Sequence, residues 1–238
     1  MRAIPRLTTH FILLPAALAA LACSESVEST DIRTTGIYPE IEVVADGSGD
    51  SQVTVYLKVG GDDSNTFLDL KGEDTLEVTV AGETKTMDQS GDKYQASFAV
   101  DAEGTEFTIA FLRGEDDDDA PASTVVMPAP FEMMLGATEV SRAADDLEYT
   151  WDPPGDGGSL SWHLNGQCVK LNAGTTPDDG TNTIAAGDIE TFESDKDKTC
   201  SVALELSRSQ SGDIDPAFTE GGSIVAKHIR NDSFTSTP

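Results

Sequence analysis

The residues of this sequence whose types could do chemistry are its histidines, its clustered carboxylates and its cysteines. Acyl transfer needs a nucleophile beside a base, with an oxyanion hole within reach. After the N-terminal segment the chain offers His163 and His228, and no Gly-x-Ser-x-Gly elbow to raise a serine on a strained turn. His163 stands between Trp162 and Leu164, so alternation along a strand points it to the opposite, solvent-leaning face. His228 follows Lys227 in what reads as the closing strand. Both read as ordinary strand residues, because no Ser or Asp partner falls beside either. Ser90-Gly91-Asp92-Lys93 has the Ser-x-x-Lys spacing of an activated serine, but Gly-Asp at its centre makes it a turn, and the companion Ser-Asp-Asn and Lys-Thr-Gly elements are missing. The expectation is a non-enzymatic protein without a cofactor.

Hard cations require several carboxylate oxygens on one loop. The densest candidate is Glu115 to Asp119, followed by Ala120-Pro121. This segment resembles the calcium linker of cadherins, where an Asp- and Asn-rich stretch ends in Ala-Pro between two sandwiches. It departs from that pattern in lacking Asn and in falling before the last strand of a sandwich. No acidic loop has the Asp-x-Asp-x-Asp-Gly spacing with a terminal Glu. Asp116, Asp117, Asp118 and Asp119 are therefore read as a solvated loop that keeps a sheet edge from pairing, and no metal ligand is assigned. Asn231-Asp232-Ser233 is formally a glycosylation sequon and carries no further weight.

The N-terminal segment decides the chemistry of the cysteines. Arg2 and Arg6 precede an uncharged apolar run, Phe11 to Ala22, which has the length of a signal peptide and falls well short of the roughly 20 residues of a membrane span. It ends Ala20-Leu21-Ala22-Cys23, which resembles the lipobox of bacterial lipoproteins. The resemblance implies cleavage before Cys23, a diacylglyceryl thioether on its sulfur and an acyl group on its new amine, hence a stable anchor. Ser24, a non-Asp residue after the Cys, resembles the pattern of outer-membrane routing in enteric-type sorting rules. Loss of Arg2 and Arg6 deepens the formal charge from −28 to −30. A chain so acidic repels nucleic acid and anionic headgroups, so its membrane contact is expected through the lipid anchor alone, with the body standing off. With Cys23 acylated, Cys168 and Cys200 remain as an even pair in an oxidising compartment, and a disulfide between them is expected.

The elements that must position these groups read as strands. Ile41 and Val43, then Val53, Val55, Leu57 and Val59, then Leu76, Val78 and Val80 alternate with polar residues, the pattern of half-buried antiparallel strands. Gly- and Asp-rich stretches such as 46–50, 60–63 and 90–92 punctuate them. Strands also read at Tyr94 to Val100, Glu106 to Leu112 and Ser123 to Met127. Met127-Pro128-Ala129-Pro130 removes two ladder donors and marks a boundary. The expected organisation is a signal peptide (1–22), a polar tether (23–34), and two tandem immunoglobulin-like or fibronectin-like β-sandwiches (35–127 and 128–238) in an all-β fold. Leu147, Tyr149 and Trp151 share a face of a strand stopped by Pro153-Pro154, which resembles the core-Trp strand of fibronectin type III domains. The second sandwich departs from that family in carrying a Cys pair and no tyrosine corner. Across its length the chain is similar to a group of proteobacterial two-sandwich lipoproteins to which no activity is assigned. With no catalytic constellation, and by analogy with other two-sandwich folds, the expectation is a lipid-anchored cell-envelope protein with a structural or adhesive role, its protein or glycan ligand unspecified. The alternative is an accessory subunit that docks onto an envelope enzyme or transporter.

Overall fold

A computed structural model describes residues 25–114 and 117–238. Cys23 and the signal segment lie outside the described residues, as do Glu115 and Asp116. The N-terminal half forms ten strands: β1 (Glu25–Glu28), β2 (Ile37–Ala45), β3 (Ser51–Val59), β4 (Thr66–Asp69), β5 (Thr75–Val80), β6 (Glu83–Thr86), β7 (Asp88–Ser90), β8 (Lys93–Phe98), β9 (Glu106–Leu112) and β10 (Ala120–Val126). The remainder forms β11 (Glu132–Leu135), β12 (Glu139–Ser141), β13 (Leu147–Asp152), β14 (Ser159–Gly166), β15 (Asn172–Pro177), β16 (Thr181–Ile184), β17 (Cys200–Ser211) and β18 (Ser223–Thr237). The architecture is all-β.

Two hydrophobic cores account for these strands. In the first sandwich β1-β4-β3-β2, with β8 also beside β3, faces the sheet β10-β9-β5-β6. Burial along β2 alternates over all nine residues, so Ile37, Ile41, Val43 and Ala45 face inward. Opposite them stand Val78, Phe107, Ile109 and Phe111. Each such Ile, Val or Phe side chain, once buried, stabilises by roughly 1.5–3 kcal/mol before chain entropy is set against it. In the second sandwich the three-stranded sheet β11-β13-β16 covers β15-β14-β17 and the far half of β18. Leu147, Tyr149 and Trp151 all point into this core, at 1–2% exposure, as their alternation implies.

Two features of the connectivity matter for function. First, β18 serves both sandwiches. Its residues Ser223–His228 run parallel to Glu40–Ala45 of β2, and the same strand pairs antiparallel with the whole of β17 out to Cys200↔Ser236. Phe218, Ile224 and Ala226, well beyond residue 127, thus belong to the first core. Second, the stretch expected as a tether carries structure from Glu25 onward. β1 pairs in parallel with β4, Glu25 N–H donates to Asn65 O at 3.3 Å, and Ser29 and Thr34 are fully buried. Val27 lies opposite Leu68 in that pairing. Polar composition gave no sign that this segment would be ordered by backbone pairing.

Candidate functional site

Three clusters of polar side chains stand out in the fold: one at each end of the long axis and one at the junction between the sandwiches. At the N-terminal end Arg113 leaves β9 with its side chain only 4% exposed. Its guanidinium donates from Nη2 to Ser29 O (2.8 Å) and Ile32 O (3.0 Å), and from Nη1 to Thr34 Oγ1 (3.1 Å). Its Nε lies 3.1 Å from Asp74 Oδ2 as an ion pair without good hydrogen-bond alignment. The acidic run closes the arrangement: Asp117 Oδ2 accepts from Thr34 N (3.1 Å), Asp118 O from Thr34 Oγ1 (2.6 Å), and Asp119 Oδ1 from Arg113 N (2.6 Å). Part of the loop expected to be merely solvated is therefore an acceptor set that fastens residues 29–34 to the sandwich. A cleft of about 670 Å³ beside it is lined by Asp31, Arg33, Glu73 and Asp74 as well as Arg113. Among the described residues no group of three or more His, Cys, Asp or Glu is placed to share a metal ion.

At the junction Arg208 and Asp178 form a buried ion pair, Nε to Oδ2 2.6 Å and Nη2 to Oδ1 2.7 Å. A bidentate guanidinium–carboxylate pair fixes direction as well as charge. Arg208 also donates to Ala129 O (2.9 Å) in the connection between sandwiches and to Pro153 O (2.9 Å). Asp178 additionally accepts from Trp151 Nε1 (2.7 Å) and Gly155 N (2.9 Å). Burial works to raise the Asp178 pKa, but the bonds from Arg208, Trp151 and Gly155 outweigh it and hold the carboxyl below its ordinary range. Position 155 has no room for a side chain, since a Cβ there would sit 2.2 Å from Asp178 Oδ2. Arg208 and Arg230 both lie over the Phe131 ring, at 4.9 and 5.5 Å.

His228 also belongs to this junction. It is fully buried, and neither ring nitrogen makes a hydrogen bond of normal geometry. Burial, and after it the Arg230 charge, push its pKa below the ordinary histidine value; the backbone and carboxylate of Asp101 oppose that push. The expectation of an ordinary strand residue misses this. Its phase did carry a signal, since His228 stands two and four positions after buried Ala226 and Ile224. His163 is partly exposed and faces Glu205 at 3.6 Å, on the solvent-leaning side as expected. Ser90 to Lys93 is the turn between β7 and β8, with Gly91 at φ +64°.

At the far end Cys168 and Cys200 are joined in a disulfide, S–S 2.07 Å. Arg142, 5% exposed, packs beside it and donates to Ser236 Oγ (3.1 Å), Lys196 O (3.0 Å) and Lys198 O (2.8 Å). The loop closed by the disulfide exposes Leu171 and Phe192, at 75% and 49%. Sequence reasoning singled out none of Arg113, Arg142 and Arg208. Their signal was phase: Arg208 continues the inward series Val202, Leu204, Leu206, and Arg142 follows Val140 by two.

No family model matches the chain, and no curated protein sequence does. Among solved structures it is similar to a two-domain fibronectin type III segment of chicken tenascin, with a TM-score of 0.26 and 11% identity over 84% of this chain and 99% of that one.

Proposed function

We propose that the chain is a lipid-anchored cell-envelope protein, attached through Cys23, with a non-enzymatic structural or adhesive role. The observation that carries this reading is the way the two sandwiches are joined. A continuous hairpin, β17–β18, runs through both, and the buried Arg208–Asp178 pair ties Ala129 and Pro153 across the junction. Such a body transmits force and holds surfaces at a fixed spacing. It contrasts with modules on a flexible linker, which move independently. The lipobox-like Ala20-Leu21-Ala22-Cys23 supports the anchor and the envelope location, and with Ser24 the outer membrane.

Exposed Leu171 and Phe192 favour a second reading, an accessory subunit docked onto an envelope enzyme or transporter. Metabolic palmitate labelling of wild type against Cys23→Ser tests the anchor, and an unlabelled, fully soluble wild type overturns it. Protease shaving of intact cells followed by recovery from solubilised envelopes tests the role. Cell-surface exposure supports adhesion, whereas a stoichiometric periplasmic partner supports docking.

A further inference from the structure

If Cys23 carries the lipid, the structure leaves almost no chain between the anchor and the folded body. Glu25 is already hydrogen-bonded to Asn65 and opens a strand paired with β4. Two residues span at most about 7 Å when fully extended. That is less than the depth of one Debye length, so screening does not separate the protein from the headgroups. On the lipid-anchor reading, so short a connection brings the acidic body within a Debye length of the headgroups, against the preference of its charge.

The fold then fixes which end lies down. β1 starts beside Asn65 and Thr66, at the tip of the β3–β4 connection, and both β1 and β4 run away from that tip. The same end holds Ile37↔Val59, where β2 begins and β3 stops. β18 enters there alongside Glu40, runs parallel to β2, and carries on past Ala45 into the second sandwich. Its 15 residues cover roughly 45–50 Å of strand length at about 3.4 Å per residue. The second sandwich, with its disulfide and with Leu171 and Phe192, is at the other end.

Resting on the lipid-anchor reading, we infer that the Gly60–Asn65 end of the first sandwich lies against lipid headgroups, and that the second sandwich is held upright and away from the bilayer. The contact is made by Asp62, Asp63 and Asn65, with Lys58 just behind them bonded to Glu40 at 2.7 Å and to Asp62 O at 2.9 Å. The surface so presented is the disulfide loop, at a fixed height set by β18.

The test uses the full mature lipoprotein in phosphatidylethanolamine–phosphatidylglycerol vesicles whose headgroups carry a fluorescence quencher. A small fluorophore is introduced in turn at Asp63, at Asp50 in the β2–β3 turn, and at Glu193 in the disulfide loop. The expected result is loss of most of the signal at Asp63, a smaller loss at Asp50 and none at Glu193. Ten Gly-Ser residues inserted between Ser24 and Glu25 should abolish the difference between the three. Equal quenching at all three positions without the insert, or the strongest quenching at Glu193, overturns the inference. Failure of the anchor itself looks different: the protein then does not float with the vesicles, and Cys23→Ser behaves like wild type.

Discussion

The two sandwiches solve the same packing problem with different means. Among the described residues the first buries twenty-three apolar side chains and has no covalent cross-link, and its buried Arg113 serves to hold the chain's own N-terminal segment. The second buries fifteen, one of them Cys168, and adds the disulfide, Arg142 and the Arg208–Asp178 pair. A small core leaves less hydrophobic stabilisation to offset chain entropy, so staples matter more there. The polar staples of the second sandwich also do what apolar contacts do poorly, since a guanidinium fork reads direction and fixes one relative placement of loops.

The most severe way to break this comparison is to remove one member of the buried pair. Asp178→Ala leaves Arg208 uncompensated and Trp151 Nε1 without its acceptor, and should cost about 3–5 kcal/mol in urea unfolding. A loss under roughly 1 kcal/mol would mean that the junction is wet and the pair screened. Trp151→Phe keeps the ring packing and loses the hydrogen bond, so it should fall between wild type and Asp178→Ala.

Replacing both Cys168 and Cys200 by Ala comes next. The bridge spans 32 residues, and closing a loop of that size is worth about 3–4 kcal/mol on the chain-entropy account. Both tryptophans of the chain, Trp151 and Trp162, lie in the second sandwich, so their fluorescence reports that sandwich alone. If β17–β18 couples the two, the far-UV circular dichroism midpoint falls together with the fluorescence midpoint. Separate midpoints would show that each sandwich unfolds by itself.

The pH dependence sharpens the comparison at the junction. The folded pKa of His228 lies below its unfolded value, so unfolded chains bind the extra proton first. Its contribution to stability is complete above about pH 6.5 and is lost as pH falls from there toward the folded pKa, with a slope of at most about 1.4 kcal/mol per pH unit. Asp178 has the same sign in a lower window, below its ordinary carboxylate value. His228→Phe should remove the upper part of the slope, and an unchanged profile in that variant would place the titration elsewhere. The smallest effect concerns cations at the opposite end. Because Asp117 and Asp119 are engaged by Thr34 and Arg113, calcium and magnesium at millimolar concentration should raise the melting temperature equally, through screening. A calcium-selective rise lost on replacing Asp117, Asp118 and Asp119 by Asn would overturn this.

What was legible in the sequence follows from periodicity. Alternation from Ile41 to Val80 and from Leu147 to Trp151 identifies strands and their inward faces, because a pleated chain turns successive side chains to opposite sides. The pairing of Cys168 with Cys200 was legible by counting. Alternation says nothing about which strand lies beside which, and so the sharing of β18 was hidden. Its polar middle, Arg230 to Ser233, belongs to what reads as the closing strand, but nothing in that stretch says that it lies past the pairing with β2, with Arg230 against Gly47 and Phe131. The order in residues 25–34 was hidden for a related reason. It comes from backbone pairing with β4 and from the distant Arg113, neither of which leaves a periodic trace in a short polar segment.

The shared strand also has a consequence in time. Lys227 of β18 pairs with Glu42 of β2 across a separation of 185 residues, so the first sandwich cannot be completed until the end of the chain is available. Contacts that distant are slow to form, and a chain emerging from its N-terminus exposes an unpaired β2 edge for the whole of its synthesis. The last strand thus acts as a clasp: β2 and β17 both wait for it, and neither sandwich has its full set of strands until the C-terminal residues are present.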